Sequence, residues 1–406
     1  MKTVFVNRFY APDHSATSQM LTDLAAALAA DGSQVHIVTS RLRYDDPQAS
    51  LAAHEAIDGV EVHRVRTSTF GRDNLFGRAL DYLSFYIAAG ARLLGLVRAG
   101  DVVVAMTDPP LVSVAAGWVA RLRGARLVNW LQDLFPEVAA NLGMASAQGA
   151  VGRLLRRLRD GSLRHAAANV VLGRRMRDRV VALGVEPSKI AQIPNWANGN
   201  ELQPMDRDAN PLRAEWRIAG MFVVGYSGNM GRAHEFQTVL DAAEGLRAQT
   251  DVAFLFVGGG AQKADVEIAV GERELLNVVF KPYQPRELLD QSLGAVDVHL
   301  VTLRPELEGL IVPSKFYGIA AVGRATIFIG DPEGEIGSVV READCGICVK
   351  QGDVAGLVEA IMALRDDRQL RERMGNNARR MFEERYERAI AVGQWRRLLD
   401  DLTGAR

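Results

Sequence analysis

Short apolar runs recur along the chain, each followed by a polar loop and then by a stretch with helical spacing of its apolar positions. In the first half the runs are residues 3–7 (TVFVN), 34–40 (QVHIVTS), 60–65, 102–106, 127–130 and 169–172. Apolar runs of four to seven residues bounded by turn residues predict buried strands, and the periodic stretches between them predict crossover helices. Ser18 is positioned to cap a helix running to about Ala30, with Gly32 ending it. The stretch 80–97 carries Asp81 and Arg92 and falls short of the ~20 apolar residues a membrane span needs, so it predicts a core or interfacial helix.

Around 194–216 the periodicity stops in a segment rich in Pro, Asn and Asp, which reads as an interdomain linker. The pattern restarts at 222–226 (FVVGY) and continues through 252–257 (VAFLFV), 278–280, 298–301, 326–329 and 346–349. A charged helix over 368–384 follows. After Tyr386 a last helix carries Ile390, Trp395, Leu398 and Leu399 on about one face. The fold class expected is α/β: two Rossmann-like domains facing each other across a cleft. Sites should then sit in the loops after the strands, where open α/β sheets bind ligands. The domain bounds expected are 1–196, a linker 197–216, 217–385, and a final segment 386–406.

Composition narrows the picture. At 406 residues, 48% hydrophobic and 24% charged, the chain suits two packed domains and is neither disordered nor collagen-like. The N-terminus reads as a strand and not as a signal peptide, and two cysteines exclude a disulfide scaffold, so a reducing, cytoplasmic setting is expected. Cys345 and Cys348 have CxxC spacing without a second ligand pair, and no HxxxH spacing occurs among the histidines, so no metal is expected. Residues 1–200 carry a net charge of +6 and the remainder −7. Either only the first half meets an anionic surface or the imbalance is incidental. Arg153, Arg156, Arg157, Arg159 and Arg164, then Arg174, Arg175, Arg177 and Arg179, form a basic band. It reads as a solvated helix face or as a contact for anionic lipid headgroups or a lipid diphosphate, and it lacks the interleaved aromatics of a nucleic-acid site.

Candidate chemistry clusters after the strands. In the loop 227–234, Gly228 lets backbone approach a ligand, the next helix offers amides to an anion, and Asn229, Arg232 and His234 add donors or charge; this suits a diphosphate better than a plain turn. Gly258 and Gly259 either let a base or ribose lie on the backbone or make a tight turn, and Lys281 ends the following strand. In Glu308-Gly309-Leu310-Ile311-Val312-Pro313-Ser314-Lys315, Pro313 and Ser314 open a helix running to about Val322, forming a second anion site. A carboxylate there repels phosphate, so Glu308 suits sugar hydroxyls. In the first half Asp133, at a strand's C-terminal end, can position or deprotonate an acceptor hydroxyl; Glu137 shares that task or starts a helix.

The set YAPDHSAT, QDLFPE, YSGNMGRAHEF, FVGGG and EGLIVPSKFYGIAAVGR resembles glycosyltransferase family 4, and within it the WbuB- and WcaI-like enzymes of bacterial polysaccharide assembly. The resemblance implies a GT-B fold, a nucleotide-sugar donor on the C-terminal domain, retention of configuration, no metal, and a last helix crossing back to an acceptor-binding N-terminal domain. It implies a UDP-linked donor of the N-acetylfucosamine type and a polyprenyl-diphosphate-linked saccharide acceptor at the inner membrane, hence a peripheral membrane partner. Ser15, Ala16 and Thr17 fall on the acceptor side. The second glutamate common in this family falls on Gly318, which leaves the ribose to Glu335. Two other readings compete: a nucleotide-sugar 2-epimerase of similar fold, and a non-catalytic nucleotide-sugar-binding protein.

Overall fold

The structure is a computed structural model that describes residues 1–13, 15–44, 46, 49–71, 75–144 and 149–404. His14 of the YAPDHSAT run lies outside them. The chain separates into two units, Met1–Pro194 with Ala391–Arg406, and Asn195–Ile390.

The first unit is built on β1 (Lys2–Val6), β2 (Gln34–Ser40), β3 (His54–Ile57), β4 (Val60–Val65), β5 (Val102–Ala105), β6 (Arg126–Trp130), β7 (Ala168–Val171) and β8 (Ile190–Gln192). They form one sheet in the order β3-β4-β2-β1-β5-β6-β7-β8. All pairs are parallel except β3–β4, a hairpin that the sequence pattern did not announce. The helices Leu75–Leu96 and Val112–Arg123 cover one face, burying Phe85, Ala89, Leu93, Ala116 and Val119 against Val4, Val6 and Val103. From Ala391 on, the last helix belongs to this unit, where Trp395 packs edge-on against Trp130, ring centroids 4.8 Å apart.

The second unit carries β9 (Phe222–Asn229), β10 (Val252–Gly259), β11 (Val278–Lys281), β12 (Val298–Thr302), β13 (Ala325–Ile329) and β14 (Gly346–Val349). The sheet is wholly parallel, ordered β11-β10-β9-β12-β13-β14. Both sheets are therefore doubly wound, with switch points between β1 and β5 and between β9 and β12. The expected linker 197–216 is not a loose connection. Trp196, Leu202, Leu212 and Trp216 are buried in the second unit, and Pro211–Glu215 is a helix capped by the Asn210 side chain. The unit's entry and exit are tied where the Glu387 carboxylate accepts from the Gly199 amide at 3.1 Å.

Ser15 takes the cap position of the helix Ala16–Ala30 in place of Ser18, whose buried hydroxyl instead donates to the Asp13 carbonyl at 3.2 Å. Burial pushes the Cys345 thiol up to about 12 and the Cys348 thiol up to about 11, so both stay protonated. No helix among the described residues is long and apolar enough to cross a membrane.

Candidate functional site

In the second unit the residues after β9 and β12 meet at the switch point. β9 and β10 stay in register to their last residues, with Gly228 opposite Gly258 and Gly259 opposite Asn229. Gly228 (φ +120°) and Gly258 (φ +134°) lie in the left-handed region, and a Cβ on Gly258 would run into the Gly228 carbonyl oxygen. Both strands thus end on bare backbone. The loop then folds over itself: Met230 N–H donates to the Gly259 carbonyl at 2.6 Å, and Gln262 Nε2 donates to the Gly231 carbonyl at 2.6 Å. Arg304, just past β12, donates its amide to the Ala233 carbonyl at 3.1 Å and joins the two loops.

Lys315 is the centre of this corner. It opens the short helix Lys315–Ala321, and its chain passes over Gly228, where an added Cβ would stand 3.7 Å from Lys315 Cε. Its ammonium lies 3.7 Å from the Tyr226 ring centroid and donates to the Tyr226 hydroxyl, which in turn donates to the Asn229 carbonyl at 2.8 Å. The residue as a whole is half-buried, but its ammonium sits deep enough that desolvation pulls it well below the ordinary lysine range. Among the described residues no carboxylate pairs with it. Arg232, on the same loop, is exposed.

Of the two roles the sequence left open for His234, donor or cation, the structure favours the neutral one. Burial, then repulsion from Lys315, lowers its imidazole to about 3, and its Nδ1 stands 2.6 Å from the Thr302 carbonyl. It is a neutral brace between the β9 and β12 loops, with Nδ1–H donating.

Glu308 is buried and accepts the Glu335 amide at 2.6 Å, at the start of the helix Glu335–Glu342. The structure therefore brings Glu308 and Glu335 together, with Glu308 partly committed to backbone. Burial and then the neighbouring Tyr386 ring hold Tyr317 well above the usual tyrosine range, and Glu335 adds to that shift. Gly318 faces elsewhere: a Cβ there would meet Leu293 at 3.4 Å and Leu202 at 3.6 Å. Gly309 takes a positive φ, Leu310, Val312 and Pro313 are buried, Ile311 is half-buried, and Ser314 is exposed without a side-chain cap bond. The Gly258–Gly259 edge carries the exposed ring of Tyr283, which the sequence reading missed; an added Cβ on Gly259 would lie 3.2 Å from it. Lys281 stands apart, 6.0 Å above the Trp216 ring.

In the first unit, Asp133 follows β6 beside a hollow lined by Thr107, Ser113, Asn129 and Phe135. Its side chain keeps open surface, so solvent tempers the desolvation that, with repulsion from Asp108, lifts its carboxyl to about 6. Glu137 is not an open acceptor-side carboxylate. It forms a bidentate pair with Arg159, at 2.9 and 2.6 Å, so Arg159 is a buried partner and not part of an exposed basic band. Ser15 donates its amide to Asp13 at 2.8 Å; Ala16 is exposed and Thr17 half-buried.

A residue the sequence reading missed stands at the β1/β5 switch point. Arg8 is buried at 8% exposure, with its guanidinium 5.2 Å from the Phe9 ring centroid and 5.3 Å from that of Tyr82. Its amide donates to the Asp108 carbonyl at 2.6 Å, and no carboxylate among the described residues pairs with the side chain. It borders a hollow shared with Leu42, Thr69 and Asp81. A single arginine after a strand gives no spacing signal, which is why sequence alone passed over it. Among the described residues no group of His, Cys, Asp or Glu could hold a metal.

Residues 15–196 match the family described as a glycosyl transferase 4-like domain, and residues 209–381 match glycosyl transferases group 1. The chain is 26% identical over 374 residues to WcaI of Escherichia coli K12, a glycosyl transferase assigned to colanic acid biosynthesis, covering 89% of this chain and 91% of that one. Among solved structures it is similar to sucrose-phosphate synthase from Thermosynechococcus elongatus, with a TM-score of 0.79 at 18% identity over the full length of both chains. It is also similar to Anabaena HepE in complex with UDP-glucose, with a TM-score of 0.72 at 16% identity over 99% of this chain and 100% of that one. At these identities the solved structures establish the fold, GT-B.

Proposed function

Since the chain belongs to the family 4 glycosyltransferases of the bacterial polysaccharide type, we propose that it moves a sugar from a UDP-sugar onto a polyprenyl-diphosphate-linked saccharide in O-antigen, capsule or exopolysaccharide assembly. Transfer proceeds with retention of configuration and without a metal, at the inner face of the cytoplasmic membrane, and the sugar is of the N-acetylfucosamine type.

One observation carries the donor half of this reading. Lys315 is a desolvated cation with no carboxylate partner among the described residues, held over the bare backbone of Gly228. A buried charge without a counter-ion is costly, and a diphosphate entering that corner supplies the missing anion. Exposed Arg232 on the same loop adds donors. Glu308 and Glu335 meet sugar and ribose hydroxyls, and Tyr283 on the Gly258–Gly259 edge offers a ring to the base. HepE, which takes the same fold, was solved with UDP-glucose, and that favours a uridine donor.

In the reaction, the acceptor hydroxyl oxygen bonds to the anomeric carbon as the bond to the diphosphate breaks, on one face of the sugar. Lys315 and Arg232 stabilise the charge growing on the leaving diphosphate, which takes the hydroxyl proton. Asp133 orients the acceptor hydroxyl, and Arg8 holds a phosphate of the lipid diphosphate.

The test is a thermal-shift comparison of UDP, GDP and ADP with the intact protein and with Lys315→Met. A ligand that binds only folded protein raises apparent stability with occupancy. A shift with UDP that disappears in Lys315→Met supports the reading. A folded protein that none of the three stabilises overturns it.

A further inference from the structure

Three helices that lie side by side on the first unit carry apolar side chains that stay exposed among the described residues. The helix Leu75–Leu96 packs beside Val112–Arg123, which packs beside Gly149–His165. On the first, Asp81, Phe85, Ala89 and Leu93 recur every four residues and are buried. The opposite face is also apolar: Phe76, Leu83, Ile87 and Leu94 repeat at helical spacing and are exposed, Ile87 by 65%. The neighbouring helix continues this surface with Trp118, 74% exposed, and Leu122; the third adds Val151, Leu154 and Leu158. Apolar exposure this continuous marks an interaction surface.

The charges around it choose the partner. Arg121, Arg153 and Arg157 are exposed on the same helices. The three helices hold two carboxylates, and neither faces outward unpaired. Asp81 is buried and accepts from Ser68 Oγ at 2.7 Å and the Phe70 amide at 2.9 Å, and Asp160 pairs with Arg159 at 2.7 Å. A protein partner for so large an apolar face would be served by any rim charge. Exposed arginines on these three helices, with no open carboxylate among the helices' described residues, match an anionic lipid surface.

We propose that this face is a monotopic docking surface for an anionic bilayer, with the helix Leu75–Leu96 lying in the headgroup plane, Trp118 at the interface and the arginines on lipid phosphates. It deepens the membrane placement proposed above and rests on that reading only for its purpose, access to a lipid-linked acceptor.

Trp118 makes the test direct. Of five tryptophans it alone is exposed; Trp130, Trp196, Trp216 and Trp395 are all buried. Full-length protein is mixed with vesicles of phosphatidylcholine alone or with 30% phosphatidylglycerol, carrying brominated chains. Binding at least about tenfold tighter to the anionic vesicles, weakened by salt, with bromine quenching lost in Trp118→Phe, is the expected result. Leu83→Asp with Ile87→Asp should lose vesicle binding while keeping the UDP-dependent thermal shift. Vesicle binding untouched by these substitutions, or without Trp118 quenching, overturns the proposal. So does a stripe that instead holds two copies together, seen as a dimer that the same substitutions dissociate without any vesicle binding. Loss of the UDP shift with vesicle binding intact counts against the donor site alone.

Discussion

The Lys315 ammonium rests 3.7 Å from the centroid of the Tyr226 ring and donates to that residue's hydroxyl. This contact gives the cation partial compensation but leaves it without an anion. Lys315→Met keeps the length of the chain and removes the buried charge. The ligand-free variant should melt higher than the parent, because an uncompensated charge has been withdrawn. Its affinity for the nucleoside diphosphate should fall about 10- to 100-fold, the worth of a charge-assisted bond. Calorimetric titration and a melting curve on the same sample read both; a lower melting temperature would show that Lys315 is there for stability.

Glu137 tests the difference between a catalytic carboxylate and a structural one. Its bidentate partner Arg159 is 5% exposed, and Arg159 also donates to the Phe135 carbonyl at 3.1 Å. Glu137→Ala leaves a buried guanidinium with Asp160 as its remaining carboxylate partner and the Phe135 carbonyl, so a loss of about 3 kcal/mol in stability is expected. Urea unfolding measures it. Turnover per folded molecule should change little, and a large fall in kcat with unchanged stability would return Glu137 to the acceptor site.

Most strands were legible because each is a short apolar run closed by turn residues, and their regular alternation with helices pointed to Rossmann-like domains, though not to the order of strands within each sheet. What escaped had little hydrophobic signal. β3 is half exposed along its length and pairs only with β4, and β8 is a three-residue edge. The 197–216 segment looked like a linker by composition, yet irregularly spaced Leu202, Leu212 and Trp216 anchor it. Candidate site residues were visible as loops after strands, but their partners were not. Glu137 meets Arg159, 22 residues on, and Glu308 meets the Glu335 amide, 27 on, through tertiary packing that no spacing rule encodes.

Arg8 holds its charge over Phe9 and Tyr82 with no carboxylate partner among the described residues. Arg8→Met should leave the UDP thermal shift intact and raise KM for a polyprenyl-diphosphate acceptor at least about tenfold. Arg8→Lys should recover only part, since a lysine lacks the planar fork. A loss of UDP binding instead would show that Arg8 acts through the fold.

Asp133 should set an acid limb. Its carboxyl is lifted to about 6 by desolvation and by Asp108, and it can orient an acceptor hydroxyl only when ionised. The value of kcat/KM should therefore fall as pH drops through about 6. Asp108→Asn removes the repulsion and should move that limb to lower pH. Asp133→Asn should abolish it and lower kcat about 100-fold. The stability sign runs the other way: a folded carboxyl above its unfolded 3.8 binds protons more tightly when folded, so this group's penalty is present above about 6 and relieved on acidification. A limb that stays in place in Asp108→Asn would separate it from Asp133.

A second titration should govern stability on the acid side. His63 stacks between His36 and His54, with ring centroids 5.4 and 4.9 Å away, and Arg92 Nη2 stands 2.7 Å from its Nδ1. Burial, then Arg92, then the two neighbouring imidazoles lower it to about 4, with Glu61 opposing weakly. An unfolded histidine takes its proton near 6.5. Between those two values the unfolded chain binds more protons, so stability is unaffected above about 6.5 and falls as pH drops toward 4. The loss from this one group is on the order of 2–3 kcal/mol at the lower end. His63→Gln gives up the ring stack and should be less stable at pH 7.5, yet its stability should decline less steeply between pH 6.5 and 4.5. Urea unfolding of both proteins at pH 7.5, 6 and 4.5 decides it: parallel slopes would assign the acid sensitivity to other groups, among them His36, His234 and His299, whose imidazoles burial also lowers.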